Sequence, residues 1–274
     1  MLAAVPLPSS PALLAEAKHS CRRMRLAMGT FVAIDASART EERARRALEA
    51  AFGAIWDIER RMHPTRAGSE LARINGAAPG EVTAVDASTF RVLKFAQRLH
   101  ALSDGVFDPC LPQRRGRVSD LELEVAAGAG PAVISRAPLG LDFGGIAKGY
   151  AIDCAIAALV AGGCEAGLVN AGGDLRIFGA RSVPIVLRLA DGSFQSLELE
   201  NGALAVSDLD GQRPRPIEHQ GYYRRVAVHT PPRRYAAVVA EDAMTADALT
   251  KCVLLAAPKR VSELLADFGA RLLA

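Results

Sequence analysis

LGLDFGGIAKGYAIDCAIAALVAGGCEAGLVNAGGDLRIFG, residues 139–179, is the stretch whose reading decides the fold. Leu139 to Gly145 is β-prone and predicts a strand. The apolar run from Ile146 onward predicts a helix, with Gly162 and Gly163 as its C-terminal stop. A β-rich run follows. It takes in Gly167 to Gly179 and then VPIVLRLADGSFQSLELENGALAVS (183–207), where Asp191-Gly192 marks a hairpin turn. Two further strands, YYRRVAVHT (222–230) and YAAVVAEDA (235–243), come after the Pro/Arg-rich segment Gly211 to Pro216. Runs of strands joined by tight turns, with few βαβ alternations, point to an α+β fold of antiparallel-rich sheets packed by helices.

Upstream, MRLAMGTFVAIDASA (24–38) alternates around Gly29 as a first strand would. Glu41 to Arg61 places Ala47, Leu48, Ala51, Ile55 and Ile58 at helical spacing with charges opposite, an amphipathic helix. A second helix is expected from Ser88 to about Leu102. Pro109 to Gly130 is charged and Gly/Pro-rich, and predicts a long loop. Helices over Ala246 to about Ala256, with Thr245 as N-cap, and over Val261 to Leu272 close the chain. The expected organisation is a loose Ala/Pro-rich segment, 1–23, followed by a domain over 24–274, single or made of two intertwined α+β subdomains.

Of 274 residues half are hydrophobic and 23% charged, which excludes disordered and collagenous classes. The net charge of +3 and 5% aromatics exclude a basic, base-stacking nucleic-acid surface. Five cysteines lack a CxxC pair, and five histidines lack HxH or HExxH spacing, so neither a zinc site nor a disulfide framework is expected. No Gly-x-Ser-x-Gly elbow occurs, which disfavours an acyl-enzyme hydrolase. No apolar run reaches the ~18 residues of a membrane span. The N-terminus shows neither the basic start nor the apolar run of a signal peptide.

Chemistry concentrates in a few segments. Asp142-Phe143-Gly144-Gly145-Ile146-Ala147-Lys148-Gly149-Tyr150 puts an acid, paired glycines and a lysine at a strand-to-helix junction. Free N–H groups, the helix dipole and the ammonium of Lys148 all favour a phosphate there, although neither a P-loop nor a GxGxxG fingerprint is present. The plain alternative is a glycine turn with a surface lysine. Asp247, Thr250 and Lys251 lie at i, i+3 and i+4 on one helix face. Carboxylate plus hydroxyl suits a hard cation such as Mg²⁺, and an Asp247–Lys251 ion pair is the alternative. Asn170-Ala171-Gly172-Gly173-Asp174 predicts a bulge or a close approach of backbone to a ligand. Gly105-Val106-Phe107-Asp108-Pro109 offers either an aromatic ring for a flat ligand or a buried Phe beside an Asp-Pro turn.

Taken in order, Met28-Gly29-Thr30, Ser69-Glu70-Leu71 to Asn75, Gly105 to Pro109, Asp142 to Tyr150 with Asp153, Asn170 to Asp174, and Ala243 to Leu249 resemble the ApbE family, the FAD:protein FMN transferases. The resemblance covers nearly the whole chain from about residue 24. It implies an α+β fold that binds FAD and Mg²⁺, cleaves the pyrophosphate, and transfers FMN to a Thr or Ser of a partner flavoprotein, releasing AMP. It implies flavin-nucleotide contacts from Met28, Val106, Phe107 and Asp108, FAD contacts from Asp142 and Lys148, metal contacts from the Gly145 carbonyl and Asp247 with Thr250 and Lys251 beside it, and catalysis by Asp247 and Lys148. In the family a Thr usually follows the Asp by four residues. Here that position is Lys251, with Thr250 one residue earlier, and an ammonium beside Asp247 would weaken a cation site or supply part of its charge. The family's flavin-holding Tyr aligns with Thr65, its His-x-x-Asp-Pro-Arg-Thr-Gly segment is reduced around His229, and Cys110 stands for the Thr after Asp-Pro. The resemblance leaves three activities to separate: FMN transfer to a protein, Mg²⁺-dependent FAD pyrophosphatase, and FAD binding alone. Family habit is periplasmic, while the N-terminus reads as cytoplasmic.

Overall fold

The computed structural model describes residues 4–5, 19–126, 130–179, 182–209 and 233–273. A short strand β1 (Ala4–Val5) precedes β2 (His19–Ala27) and β3 (Thr30–Ala38). The stretch 24–38 is thus a hairpin rather than one strand, and both β1 and the start of β2 at His19 lie inside the segment expected to be loose. Ala27 pairs with Thr30, leaving Met28 (φ 53°) and Gly29 (φ 71°) as a two-residue loop with both residues left-handed. That is the twist a tight hairpin requires. Inward-facing Val32, Ile34, Ala36 and Ala38 are buried on β3.

Helix α1 (Glu41–Met62) follows, capped by Thr40. Next come α2 (Glu70–Gly76), β4 (Val82–Ala84) and α3 (Ala87–Leu102), close to the spans expected where a helix was read. The expected loop 109–130 holds a 3-10 turn (Val118–Asp120) and β5 (Leu121–Ala126), which pairs antiparallel with β6 (Gly130–Ser135). The alternation in Leu121-Glu122-Leu123-Glu124-Val125 was the missed signal. The strand expected over 139–145 is reduced to one bridge, Cys110 to Leu141, because Asn75 of α2 donates to the Leu141 carbonyl and accepts its N–H, leaving no backbone pair for a neighbouring strand.

Helix α4 (Ala147–Ala161) is apolar nearly all round, and it sits at the centre between α1 and the sheet. It ends at Gly162 and Gly163, the latter at φ +78°. Strands β7 (Cys164–Ala171) and β8 (Asp174–Phe178) then form a hairpin. Gly172 (φ +64°) and Gly173 (φ +106°) are its two-residue loop, not a bulge, and a Cβ on Gly172 would stand 2.6 Å from Thr30 Oγ1. The run continues through β9 (Val183–Arg188), β10 (Phe194–Leu199), β11 (Ala203–Asp208) and β12 (Tyr235–Ala240). The expected strand 222–230 and the segment 211–216 lie outside the described residues.

Helix α5 (Ala243–Leu255) starts three residues earlier than expected, because Asp242 rather than Thr245 is the N-cap, its carboxylate accepting the Thr245 N–H at 2.7 Å. Helix α6 (Pro258–Asp267) stops at Gly269 (φ +59°), and β13 (Arg271–Leu272) returns to the sheet, so the expected helix over 261–272 is shorter.

The main sheet has seven strands in the order β13-β12-β11-β8-β7-β3-β2, every pair antiparallel. Helices cover one face over a large core that includes Leu48, Phe52, Ile55, Ile152 and Leu249. On the other face Leu168, Leu175 and Ile177 pack against Ile185 and Leu187 of the small sheet β1-β9-β10. A third sheet, β4-β6-β5, packs beside α3. This is the expected α+β architecture. It brings the N-termini of α4 and α5 together at the end of the sheet that carries the Gly172-Gly173 turn.

Candidate functional site

The first turns of α4 and α5 meet backbone to backbone. A Cβ on Gly149 would lie 2.2 Å from the Ala243 carbonyl oxygen and 2.8 Å from Met244 Cα, so only glycine allows the approach. Each helix then supplies an acid to the other's N-terminus. Asp153 of α4 accepts the N–H groups of Ala243 and Met244, both at 2.9 Å, and Asp247 of α5 accepts the Gly149 N–H at 3.1 Å. Negative charge is favoured at both places by the helix dipoles. Asp153 also takes Arg176 of β8 at 2.7 Å. Burial outweighs these partners and lifts its carboxyl to about 6.

Two lysines converge on this junction. Lys251 Nζ lies 2.5 Å from Asp247 Oδ1 and 3.0 Å from both Ser207 Oγ and Thr250 Oγ1. The two hydroxyls are themselves 2.7 Å apart, and Thr250 donates to the Asp247 carbonyl at 2.6 Å. The three residues of the i, i+3, i+4 face therefore do meet at one point. They are joined by Ser207 of β11, which sequence spacing could not reveal because it is 43 residues from Thr250. Lys148 Nζ, from the first turn of α4, contacts the Asp174 carboxylate at the start of β8. Asp174 Oδ1 accepts the Val206 N–H at 3.0 Å, which fixes that carboxylate against β11.

The charges balance tightly. Burial would raise the Asp247 carboxyl, but the ammoniums of Lys251 and Lys148 and the Gly149 N–H hold it below the usual carboxylate range. Burial lowers Lys148 to about 8, with Lys251 reinforcing the drop and Asp247 opposing it. Lys148 is the more exposed of the two lysines, its side chain keeping about a quarter of its surface. The arrangement is two cations and two helix N-termini around two buried carboxylates, Asp247 and Asp174, with glycines that keep the backbone low. That surrounding is suited to a diphosphate.

A divalent ion does not fit the side chains as they stand. Asp247 already bonds through both oxygens, and every hydroxyl beside it lies within 3.0 Å of an ammonium. Among the described residues no cluster of three or more His, Cys, Asp or Glu is placed to hold a metal. Thr250 and Lys251, expected as metal contacts, are respectively tied to its own helix backbone and positively charged.

The other expected contacts divide. Asp142 lies beside the junction, its Oδ1 accepting the Gly144 N–H at 2.8 Å, and Gly145 is buried in the same turn. Met28 is half-buried at the turn of the β2–β3 hairpin, where Gly172 donates to the Phe31 carbonyl at 3.2 Å. Phe107 and Asp108 face inward. Phe107 is buried in the core, with its N–H on Ser103 Oγ and its carbonyl accepting from His100 Nδ1. Asp108 Oδ1 accepts the N–H groups of Cys110 and Val118. In this structure neither side chain is offered to a flat ligand ring, and Val106 is the more exposed member of that loop. The loop nonetheless braces the site, since Pro109 accepts the Asp142 N–H at 2.8 Å. Thr65 is exposed in the turn after α1. His229 lies outside the described residues. An open groove of about 650 Å³ lies between α1 and the far end of α4, lined by Arg43, Arg46 and Gly162, about 20 Å along the helix from Lys148.

The ApbE family model matches residues 28–273. An FAD:protein FMN transferase of Rhodobacter capsulatus is 29% identical over 175 residues, which is 55% of this chain and 33% of that relative's length. The chain thus spans about a third of the curated relative it matches. The fold is that of solved structures: an ApbE protein of Thermotoga maritima (TM-score 0.75, 24% identity, 93% of this chain and 94% of that one) and the flavin transferase ApbE of Vibrio cholerae (TM-score 0.73, 20% identity, 93% and 92%). The flavinyl transferase ApbE of Pseudomonas stutzeri, apo form, is similar as well (TM-score 0.72, 20% identity, 93% of each chain). With a family match that takes in both hairpin turns, the Asp142–Tyr150 junction and all of α5, the chain belongs to the ApbE family.

Proposed function

We infer that the chain is an FAD:protein FMN transferase. Its substrate is FAD, and its acceptor is a Thr or Ser hydroxyl on a partner flavoprotein. The acceptor oxygen forms a phosphoester bond to the FMN phosphorus, the anhydride P–O bond breaks, AMP leaves with the bridging oxygen, and the hydroxyl proton passes to water. The observation that carries this reading is the convergence of Lys148, Lys251 and the N-termini of α4 and α5 on one point, in a chain of this family. Cations there offset the charge that grows on the diphosphate as the AMP oxygen departs, the main lever in phosphoryl transfer.

In this reading Lys148 touches the diphosphate. Asp247, fully buried with both oxygens engaged, is a positioning residue for the Lys251 ammonium, as Asp174 is for that of Lys148. Met28 and Val106 flank the flavin nucleotide, and Asp142 shapes the glycine turn beneath it. Incubation with FAD and Thr-containing acceptor peptides, followed by chromatography and mass spectrometry, is the test. AMP formed in step with peptide carrying one FMN supports transfer, free FMN plus AMP indicates a pyrophosphatase, and FAD bound but intact indicates a carrier.

A further inference from the structure

We propose that Lys251 is a built-in cation that takes the place of a divalent metal, so that this chain presents a fixed ammonium to its diphosphate and is closed to metal. The inference rests on the reading above for the identity of the diphosphate. Its geometry stands apart from that reading. Asp247 Oδ1, Ser207 Oγ and Thr250 Oγ1 form a buried cage of oxygens, the donor set a hard cation takes. Lys251 Nζ sits among all three, at 2.5, 3.0 and 3.0 Å. An ammonium has three donors, and here three oxygens receive them. Each of these three oxygens is thereby occupied by a positive charge attached to the chain.

The second face of the cage is also cationic. Asp247 Oδ2 is taken by the Gly149 N–H, and Lys148, the residue before it in the first turn of α4, is paired with Asp174. An incoming divalent ion would have to displace Lys251 from Asp247 and then sit close to that ammonium and to Lys148, which is paired with Asp174, an arrangement of like charges that disfavours entry. A monovalent tethered cation costs no binding entropy at each turnover and is independent of the metal supply. It supplies less charge than a divalent ion, and Lys148 makes up part of the difference.

The test uses the whole chain and two readouts that do not depend on turnover. Mn²⁺ is added alone and followed by electron paramagnetic resonance, and FAD is titrated by fluorescence quenching in Mg²⁺ and in EDTA. The expected results are no bound Mn²⁺ at millimolar concentration and FAD dissociation constants within twofold of each other in the two buffers. A Lys251→Thr chain, its fold checked by circular dichroism, is expected to bind one Mn²⁺ and to become tenfold or more tighter for FAD in Mg²⁺ than in EDTA. One Mn²⁺ bound per wild-type chain, or a tenfold loss of wild-type FAD affinity on chelation, overturns the inference. A folded Lys251→Thr chain still blind to Mn²⁺ overturns it too, since Lys251 would then not be what closes the cage. Absence of FAD binding in every buffer overturns the functional reading and the diphosphate half of the inference, and the manganese titration then decides the closed cage by itself.

Discussion

Lys148 is charged below about 8 and neutral above, whereas an unfolded chain would keep that charge to about 10.5. Two effects of opposite sign follow. Raising the pH through 8 removes a positive charge from the phosphate site, so FAD affinity is expected to fall severalfold between pH 7 and 9 when followed by fluorescence titration. Over the same rise the folded state sheds the cost of burying an ammonium, so the depressed Lys148 contribution makes the fold gain stability from about 8 towards 10.5. A second residue stands out by conformation. Met28 holds φ 53°, a left-handed position that costs a non-glycine residue about 1 kcal/mol. Met28→Gly is expected to stabilise the fold by about that amount in urea denaturation while weakening FAD binding, which separates a side chain kept for a ligand from one kept for the hairpin. Strain of this kind also explains why the turn was not legible. Met-Gly is not the Asn-Gly signature of a two-residue hairpin, so 24–38 read as one strand.

At the scale of elements, the site is a joint between two helices, and Asp153 is its pin. Replacing Asp153 by Ala leaves Arg176 and the first N–H groups of α5 without their acceptor, and is expected to cost about 3 kcal/mol by urea denaturation. Its carboxyl is raised to about 6 from 3.8, so the stability linked to its retained proton is present in full below 3.8 and lost as the pH rises through 6, while its hydrogen bonds to Arg176 and α5 persist. Asp153→Asn is expected to flatten that part of the pH profile of stability. Helices α1 and α4 were legible because their apolar spacing and glycine stops are local signals. The start of α5 is ambiguous in the sequence because Asp242 and Thr245 are both good caps, and only the structure shows Thr245 donating its N–H to Asp242. The strand expected at 139–145 failed for a long-range reason. Asn75 satisfies both backbone groups of Leu141 from a helix 66 residues away, a partner that no window of sequence contains.

Across the whole molecule, an α+β fold of antiparallel-rich sheets packed by helices is legible from the order of runs, and so is the cluster of Asp247, Thr250 and Lys251 on one helix face; that the helices cover one face of the main sheet is not. Ser207 is not, and Asp174 is marked only by its Gly-Gly segment, because their partners depend on β8 and β11 lying side by side in the sheet. Phe107 was legible only as an ambiguity, which the packing of Ser103 and His100 resolves towards the core. The fold therefore serves to bring two helix N-termini and two lysines, distant in sequence, to a single charged point at the end of the sheet. Calorimetric titration of FAD into the wild-type chain and into Lys148→Ala tests that claim most directly. One FAD bound per wild-type chain, with affinity reduced at least tenfold in the variant, about 1.4 kcal/mol, is the expected result. Equal affinity in the two chains would contradict a diphosphate site at the N-terminus of α4.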